Sequence, residues 1–203
     1  NRFTSEAGMN KSALFGNTEI YANVLTKQNY DYVEGMIGIA EGSGIDFIKI
    51  AMLNLRYELL YHALGKRYVD QTIDGCTSFA IMPETNKKKH VIIGQNWDWI
   101  PEVECVLVTS INPSGINNLS FTEAGIFAGK PGMNSQGIGL TVNGMYTIDD
   151  DWSRLHKPFH MRCYEILQSS TLEMALEAVQ GTPRSCTSNF LIGQAHHGAI
   201  NIE

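Results

Sequence analysis

At residue 76 the periodicity of this chain changes character, and that change limits what it can fold into. Upstream, apolar residues recur at helical spacing. Residues 29–40 place them on one helix face, and Gly42 and Gly44 supply a C-terminal stop. Asp46 is an N-cap candidate for one long helix over residues 47–64, with Ile48, Met52, Leu53, Leu55, Leu59, Leu60 and Leu64 as its buried stripe. From Cys76 onward the pattern is that of strands: residues 76–82, 90–95 and 103–111 are rich in Val, Ile and Thr and are separated by turn residues. Residues 118–127 predict a hairpin turning at Glu123-Ala124-Gly125. Residues 137–144 predict a strand whose glycines admit a second backbone or a ligand. After an acidic, polar loop over 147–157, Pro158 opens a helix over 159–168, Thr171 caps a second over 172–180, and residues 188–193 and 199–202 return to strand. Helices, then antiparallel strands, then a helical pair, then strands predict two packed sheets with helices outside them, not alternating βαβ units.

Length and charge remove several classes. A chain of 203 residues buries a real core, and one domain is the default. A net charge of −6 argues against nucleic acid as a partner, and the run Lys87-Lys88-Lys89 reads as a solvated hairpin tip. No stretch reaches the ~18 apolar residues of a membrane span. Cys76, Cys105, Cys163 and Cys186 form no CxxC pair and no zinc spacing. Cys105 and Cys163 are expected as small buried hydrophobes, and a reducing compartment, the cytoplasm, is favoured. Asp149-Asp150-Asp151 is expected as a solvated acidic loop, with no metal. The final residues resemble a strand cut in mid-stride and no initiator Met is present, so both ends are expected to be cropped from a longer protein.

The step Gly75-Cys76 carries the chemical interest. A backbone that cuts itself there would leave Cys76 as a new N-terminus, with thiol and α-amine on one residue, nucleophile and base together. The alternative is a plain Asp74-Gly75 turn with a buried cysteine after it. Asn96-Trp97-Asp98-Trp99 ends the next strand. Asp98 could orient that amine, or simply lie in water at a strand end. Asn143 could offer its amide to a tetrahedral oxyanion, or belong to an ordinary Asn-Gly turn. Arg184 could hold a carboxylate or bias a thiol toward thiolate, or be a surface cap. Trp97, Trp99, Phe121, Phe127 and Tyr146 could line an acyl pocket, or pack in the core.

Five segments occur in one order: residues 75–80, 94–99, 121–125, 132–139 and 184–191. In that order they resemble the acyl-coenzyme A:6-aminopenicillanic acid acyltransferase family. These are N-terminal nucleophile (Ntn) hydrolases related to choloylglycine hydrolases and acid ceramidases. The stretch 34–42 resembles the family's propeptide. The resemblance implies an α+β, four-layer αββα sandwich of two antiparallel sheets, incomplete here at both ends. Residues 1–75 would be the helical propeptide or α-chain, and 76–203 the nucleophile-bearing β-chain of the same domain. It implies scission between Gly75 and Cys76, Cys76 as nucleophile, Asp98 as the amine-orienting acid, Asn143 as the oxyanion amide and Arg184 as the active-site Arg; Trp97, Trp99 and Tyr146 are, from their residue types, the expected substrate contacts. It implies a small N-acyl or thioester substrate, no cofactor (acyl-coenzyme A would enter as a substrate of a transferase), and a processed α/β heterodimer, with a homo-oligomer compatible. The Arg that bile-salt hydrolases carry between nucleophile and acid is absent from 76–98, which disfavours bile salts. Two other readings stay open: a Cys-His hydrolase using His90, His156, His160, His196 or His197, and a non-catalytic binding module on the same fold.

Overall fold

The computed structural model describes residues 2–5, 7–67, 75–98, 101–111 and 115–203. Asp74 and Trp99, both singled out above, lie outside the described residues.

The first part of the chain is helical: α1 (Arg2–Ser5), α2 (Lys11–Gln28), α3 (Tyr30–Ser43) and α4 (Phe47–Asn54). Asn10, Asn29 and Asp46 cap the last three, accepting the N–H groups of Ser12, Tyr32 and Ile48 at 2.8, 3.0 and 2.9 Å. Gly44 closes α3 at φ 66°, a left-handed conformation natural to glycine. The single helix expected over 47–64 is instead α4, a π-helical turn at Tyr57–Tyr61, and α5 (His62–Arg67). Widening the helix there turns Tyr57, Glu58, Leu59, Leu60 and Tyr61 all inward. A 3.6-residue repeat does not anticipate five consecutive buried residues.

Beyond Cys76 the strands are β1 (Thr77–Ile81), β2 (Ile92–Asn96), β3 (Cys105–Ser110), β4 (Asn118–Glu123), β5 (Gly132–Asn134), β6 (Ile138–Gly144), β7 (Ser188–Gln194) and β8 (Gly198–Ile202), with α6 (Phe159–Leu167) and α7 (Leu172–Gln180) between β6 and β7. β1 and β2 form an antiparallel hairpin with register Thr77↔Asn96. β3 to β8 form a six-stranded antiparallel sheet in chain order. Lys87, Lys88 and Lys89 are exposed in the β1–β2 connection, as expected. The hairpin expected over 118–127 is longer. β4 runs through Glu123, Gly125 turns the chain at φ 86°, and the return strand is β5. Glu123 is therefore a buried strand end, not a turn residue.

Helices α6 and α7 cover one face of the large sheet, packing Phe159, Ile166 and Ala175 on Ile138, Leu140, Phe190 and Ile192. Tyr57, Tyr61 and Leu64 from before Cys76 join the same core. The β1–β2 hairpin lies over the opposite face, across β6 and β7. A Cβ at Gly139 would come within 2.6 Å of the Ile93 side chain, and one at Gly193 within 3.0 Å of Val91. Those glycines let the two sheets touch. β6, covered on both faces, is buried from Ile138 to Val142. The architecture is α+β with two stacked antiparallel sheets, consistent with an Ntn-hydrolase sandwich; three of its four layers are seen among the described residues. Cys163 is buried as expected, but Cys105 is exposed, because β3 is an edge strand with little covering it. Asp150 also departs from expectation. It is buried, and accepts from the N–H groups of Thr147 and Thr187 at 3.0 and 2.8 Å, organising the loop.

Candidate active site

Cys76 enters β1 one residue ahead of Thr77, at the end of the hairpin where β2 delivers Trp97 and Asp98. The thiol is half-buried, and burial pushes its pKa above the ordinary value. The Asp98 backbone N–H, the Gln95 side-chain amide and the Lys130 ammonium pull it back, while the Asp98 carboxylate adds to the rise. Asp98 itself is exposed. The structure thus brings Cys76 and Asp98 together, and adds Gln95, a residue to which sequence reasoning gave no role.

Gln95 also bridges the two sheets. Its amide donates to the Val142 carbonyl and its oxygen accepts the Val142 N–H at 3.2 Å. β5 is only three residues long and pairs with β6 only at Leu140 and Gly139. Where that pairing stops, the Gln95 amide serves Val142 in place of a neighbouring strand.

Asn143 follows Val142. Side chains alternate along a strand, so Cys76 and Ser78 share a side of the chain. Ser78 Oγ donates to Asn143 Oδ1 at 3.2 Å. Asn143 Nδ2 donates to Asn189 Oδ1 at 2.9 Å, and Asn189 Nδ2 in turn to Asn201 Oδ1 at 2.8 Å. This run of amides from β6 through β7 to β8 fixes the Asn143 side chain. Its second amide hydrogen has no partner among the described residues.

A groove of about 440 Å³ opens beside this cluster. Gln95 and Trp97 line one wall; Leu107, Leu119, Phe121 and Met133 line much of the rest. The Trp97 ring packs against Phe121 at 6.2 Å between centroids, and the Lys130 ammonium lies 4.4 Å from its centroid. Tyr146 is elsewhere, against Tyr61 at 6.2 Å, and Phe127 packs on Tyr32 and Tyr164. A larger depression, of about 550 Å³, lies between the start of α3 and the α6–α7 pair, and Cys76, Gln95, Trp97, Asp98 and Asn143 are not among its lining residues.

Arg184 is exposed and lines a separate polar cavity of about 420 Å³ with Thr147, Asp149, Asp150, Arg154 and Glu203. Its carbonyl is 3.3 Å from His156 Nδ1. The arginine buried in this region is Arg162. Its guanidinium donates to the carbonyls of Ala178 and Val179 at 3.0 and 2.7 Å, closing the C-terminal end of α7, and to Thr182 and Pro183.

The histidines are engaged away from Cys76. His160 is buried in α6 with Nδ1 2.8 Å from the Asn54 carbonyl, and burial holds its pKa well below the usual imidazole range. His90 and His196 face each other at 4.3 Å, and His197 Nδ1 is 3.0 Å from the Ala195 carbonyl. No group of His, Cys, Asp and Glu suited to a metal ion occurs among the described residues.

Four buried charged groups, Arg56, Glu58, Glu123 and Lys130, were given no chemical role in the sequence reading. Glu123 accepts from both Arg56 and Lys130. Glu58, on the π-turn, accepts the Phe159 N–H at 2.7 Å and the Cys186 thiol at 3.1 Å. Nothing in the local sequence announces them, since their partners come from 67, 7, 101 and 128 residues away.

No family model matches the chain. It is 30% identical over 168 residues to the acyl-coenzyme A:6-aminopenicillanic-acid-acyltransferase 40 kDa form of Emericella nidulans, a match covering 81% of this chain and 43% of that protein. The chain thus spans less than half the length of this relative. Motif order and this match agree in likening the chain to the acyl-coenzyme A:6-aminopenicillanic acid acyltransferase family.

Proposed function

We propose that this chain is the self-processing part of a thiol amidohydrolase or acyltransferase that acts on linear C–N amide bonds through an S-acyl intermediate on Cys76. The observation that carries it is the grouping at one end of the β1–β2 hairpin. The Cys76 thiol sits against the Asp98 N–H and the Gln95 amide, and the Asn143 amide is tied to Ser78 two residues on.

In the uncut chain the thiol attacks the Gly75 carbonyl. The amide nitrogen of Cys76 leaves as a free amine, giving a thioester that water hydrolyses. A Cβ at Gly75 would meet no heavy atom within 4 Å beyond its chain neighbours, so the scissile residue is not crowded at its α-carbon. The freed α-amine, with an ordinary pKa near ~8, takes the thiol proton. Asp98 favours the charged amine and holds it near the sulfur. The thiolate then attacks a substrate carbonyl, the oxyanion rests on the Asn143 amide and a backbone N–H, and the amine of the substrate departs with the proton. Water or a second amine takes the acyl group. The apolar groove beside Trp97 and Phe121 suits a hydrophobic acyl chain.

The segment before Cys76 remains bound after scission in this reading. It contributes Arg56 to Glu123, Glu58 to Phe159, and Asn54 to the Gly125 carbonyl and Phe127 N–H at 2.9 and 3.0 Å. Intact mass of the full-length protein tests the reading. Two fragments that co-elute natively and part in denaturant are expected, and Cys76→Ala stays whole and inactive on chromogenic N-acyl amides. An uncut chain with no thiol-dependent turnover would make it a binding module instead.

A further inference from the structure

We propose that Lys130 is a positioning residue for the Cys76 centre, holding Trp97 and biasing the thiol through a buried ion triad completed by Arg56 of the N-terminal segment. This rests on the reading of Cys76 as nucleophile.

The triad is one carboxylate between two cations. Glu123 receives both arms of the Arg56 guanidinium, one at 2.7 Å, and also the Lys130 ammonium. All three side chains are at most 10% exposed, Lys130 only 1%. A two-pronged Arg already neutralises a carboxylate and satisfies its geometry. Glu123 therefore has no need of a second cation. Lys130 leaves the triad with an excess positive charge in a buried place, where an apolar side chain of similar volume would cost nothing in desolvation. Burial and Arg56 pull the Lys130 pKa down to about 8, against the support of Glu123.

The backbone around Lys130 is fitted to this position. Its N–H donates to the Phe121 carbonyl at 3.0 Å, and the Phe121 N–H donates to the Pro131 carbonyl at 2.9 Å. A Cβ on either flanking glycine, Gly129 or Gly132, would collide with Ser120. The segment is thus pressed on β4 and the lysine points inward. What the ammonium meets there, beyond Glu123, is the face of Trp97 at 4.4 Å. Trp97 immediately precedes Asp98, whose N–H reaches the Cys76 sulfur. Fixing the indole fixes the start of that hydrogen bond, and the positive charge favours the thiolate.

The test is the pH profile of Cys76 alkylation by iodoacetamide in a Cys105→Ser background, since the exposed Cys105 would react as well. The charged groups near the thiol are Asp98 and Lys130, joined after scission by the α-amine of Cys76 itself, which both Lys130 variants retain. Those around Lys130 are Arg56, Glu123 and the α6 residues Cys163 and His160. Lys130→Met should move the profile to higher pH and slow alkylation at neutral pH by roughly two- to threefold, with partial rescue by Lys130→Arg. An unchanged profile in folded Lys130→Met overturns the proposal.

A second measurement covers the case in which that variant does not fold. In Cys76→Ala, which has neither thiol nor freed amine, indole fluorescence should change near pH 8 as Lys130 loses its proton, and the change should vanish on adding Trp97→Phe. No Trp97-dependent step overturns the proposal as well. Failure of the nucleophile reading looks different, because Cys76→Ala would then retain full turnover.

Discussion

Cys76 and Cys186 are two thiols with acidic neighbours, and their surroundings make them opposites. Cys186 is fully buried before β7, and burial together with the Glu58 carboxylate at 3.1 Å drives its pKa well up, against the opposing charge of Arg162. Its proton belongs in a hydrogen bond to Glu58. Cys76 is only half-buried; burial and the Asp98 carboxylate still raise its pKa, but an N–H, an amide and an ammonium around it favour the anion. Proximity to a carboxylate does not decide reactivity. What does is whether donors face the sulfur and whether a reagent can reach it.

The largest expected effect separates the two thiols directly. Cys76→Ala should remove scission and lower turnover by a factor on the order of 10⁴ or more. Cys186→Ala should leave turnover intact and lower stability by about 1–3 kcal/mol, because Glu58 loses a buried donor. Parallel mass spectrometry, kinetics and urea titrations check both, and a Cys186→Ala chain that no longer cuts itself would erase the contrast.

Next is Asn143→Ala. It removes one oxyanion donor and should cost about 10²–10³ in kcat with little change in KM. A change confined to KM would assign Asn143 to substrate binding.

The Cys186 side is sharpened by pH. Burial raises the Glu58 pKa from 4.5 to about 7, against the Phe159 N–H and the Cys186 thiol, which lower it. Between those values the folded protein holds a proton that the unfolded chain has lost. Stability from this group is complete below about pH 4.5 and falls as pH rises through 7, by at most about 3 kcal/mol. Denaturation midpoints from pH 5 to 8 should show that decline, and Glu58→Gln should flatten it. The smallest effect is expected at the scissile step. Because a Cβ at Gly75 finds open space, Gly75→Ala should still cut, with a barrier changed by no more than about 1 kcal/mol; time courses of fragment appearance measure it.

Local chemistry made much of this molecule legible beforehand. Asp46 and Thr171 are N-caps as expected, although the helix Asp46 caps ends at Asn54 and not at residue 64, Gly44 stops α3, and the strand pattern after Cys76 gives the hairpin and most of the sheet. Signals of this kind lie within a few residues of what they control, so a linear reading finds them. The order of motifs likewise pointed to the same resemblance that the comparison found.

What the linear order could not supply is everything set by long-range packing. The π-turn that buries Glu58, the escape of Cys105 on an edge strand, the Gln95 bridge into β6, and the meeting of Arg56, Glu123 and Lys130 across 67 and 7 residues all belong to the tertiary structure. A charged residue written in a sequence carries no mark of burial or of partner. Both are fixed only when distant segments close around it, because the cost of desolvating a charge is met by groups the local sequence does not contain.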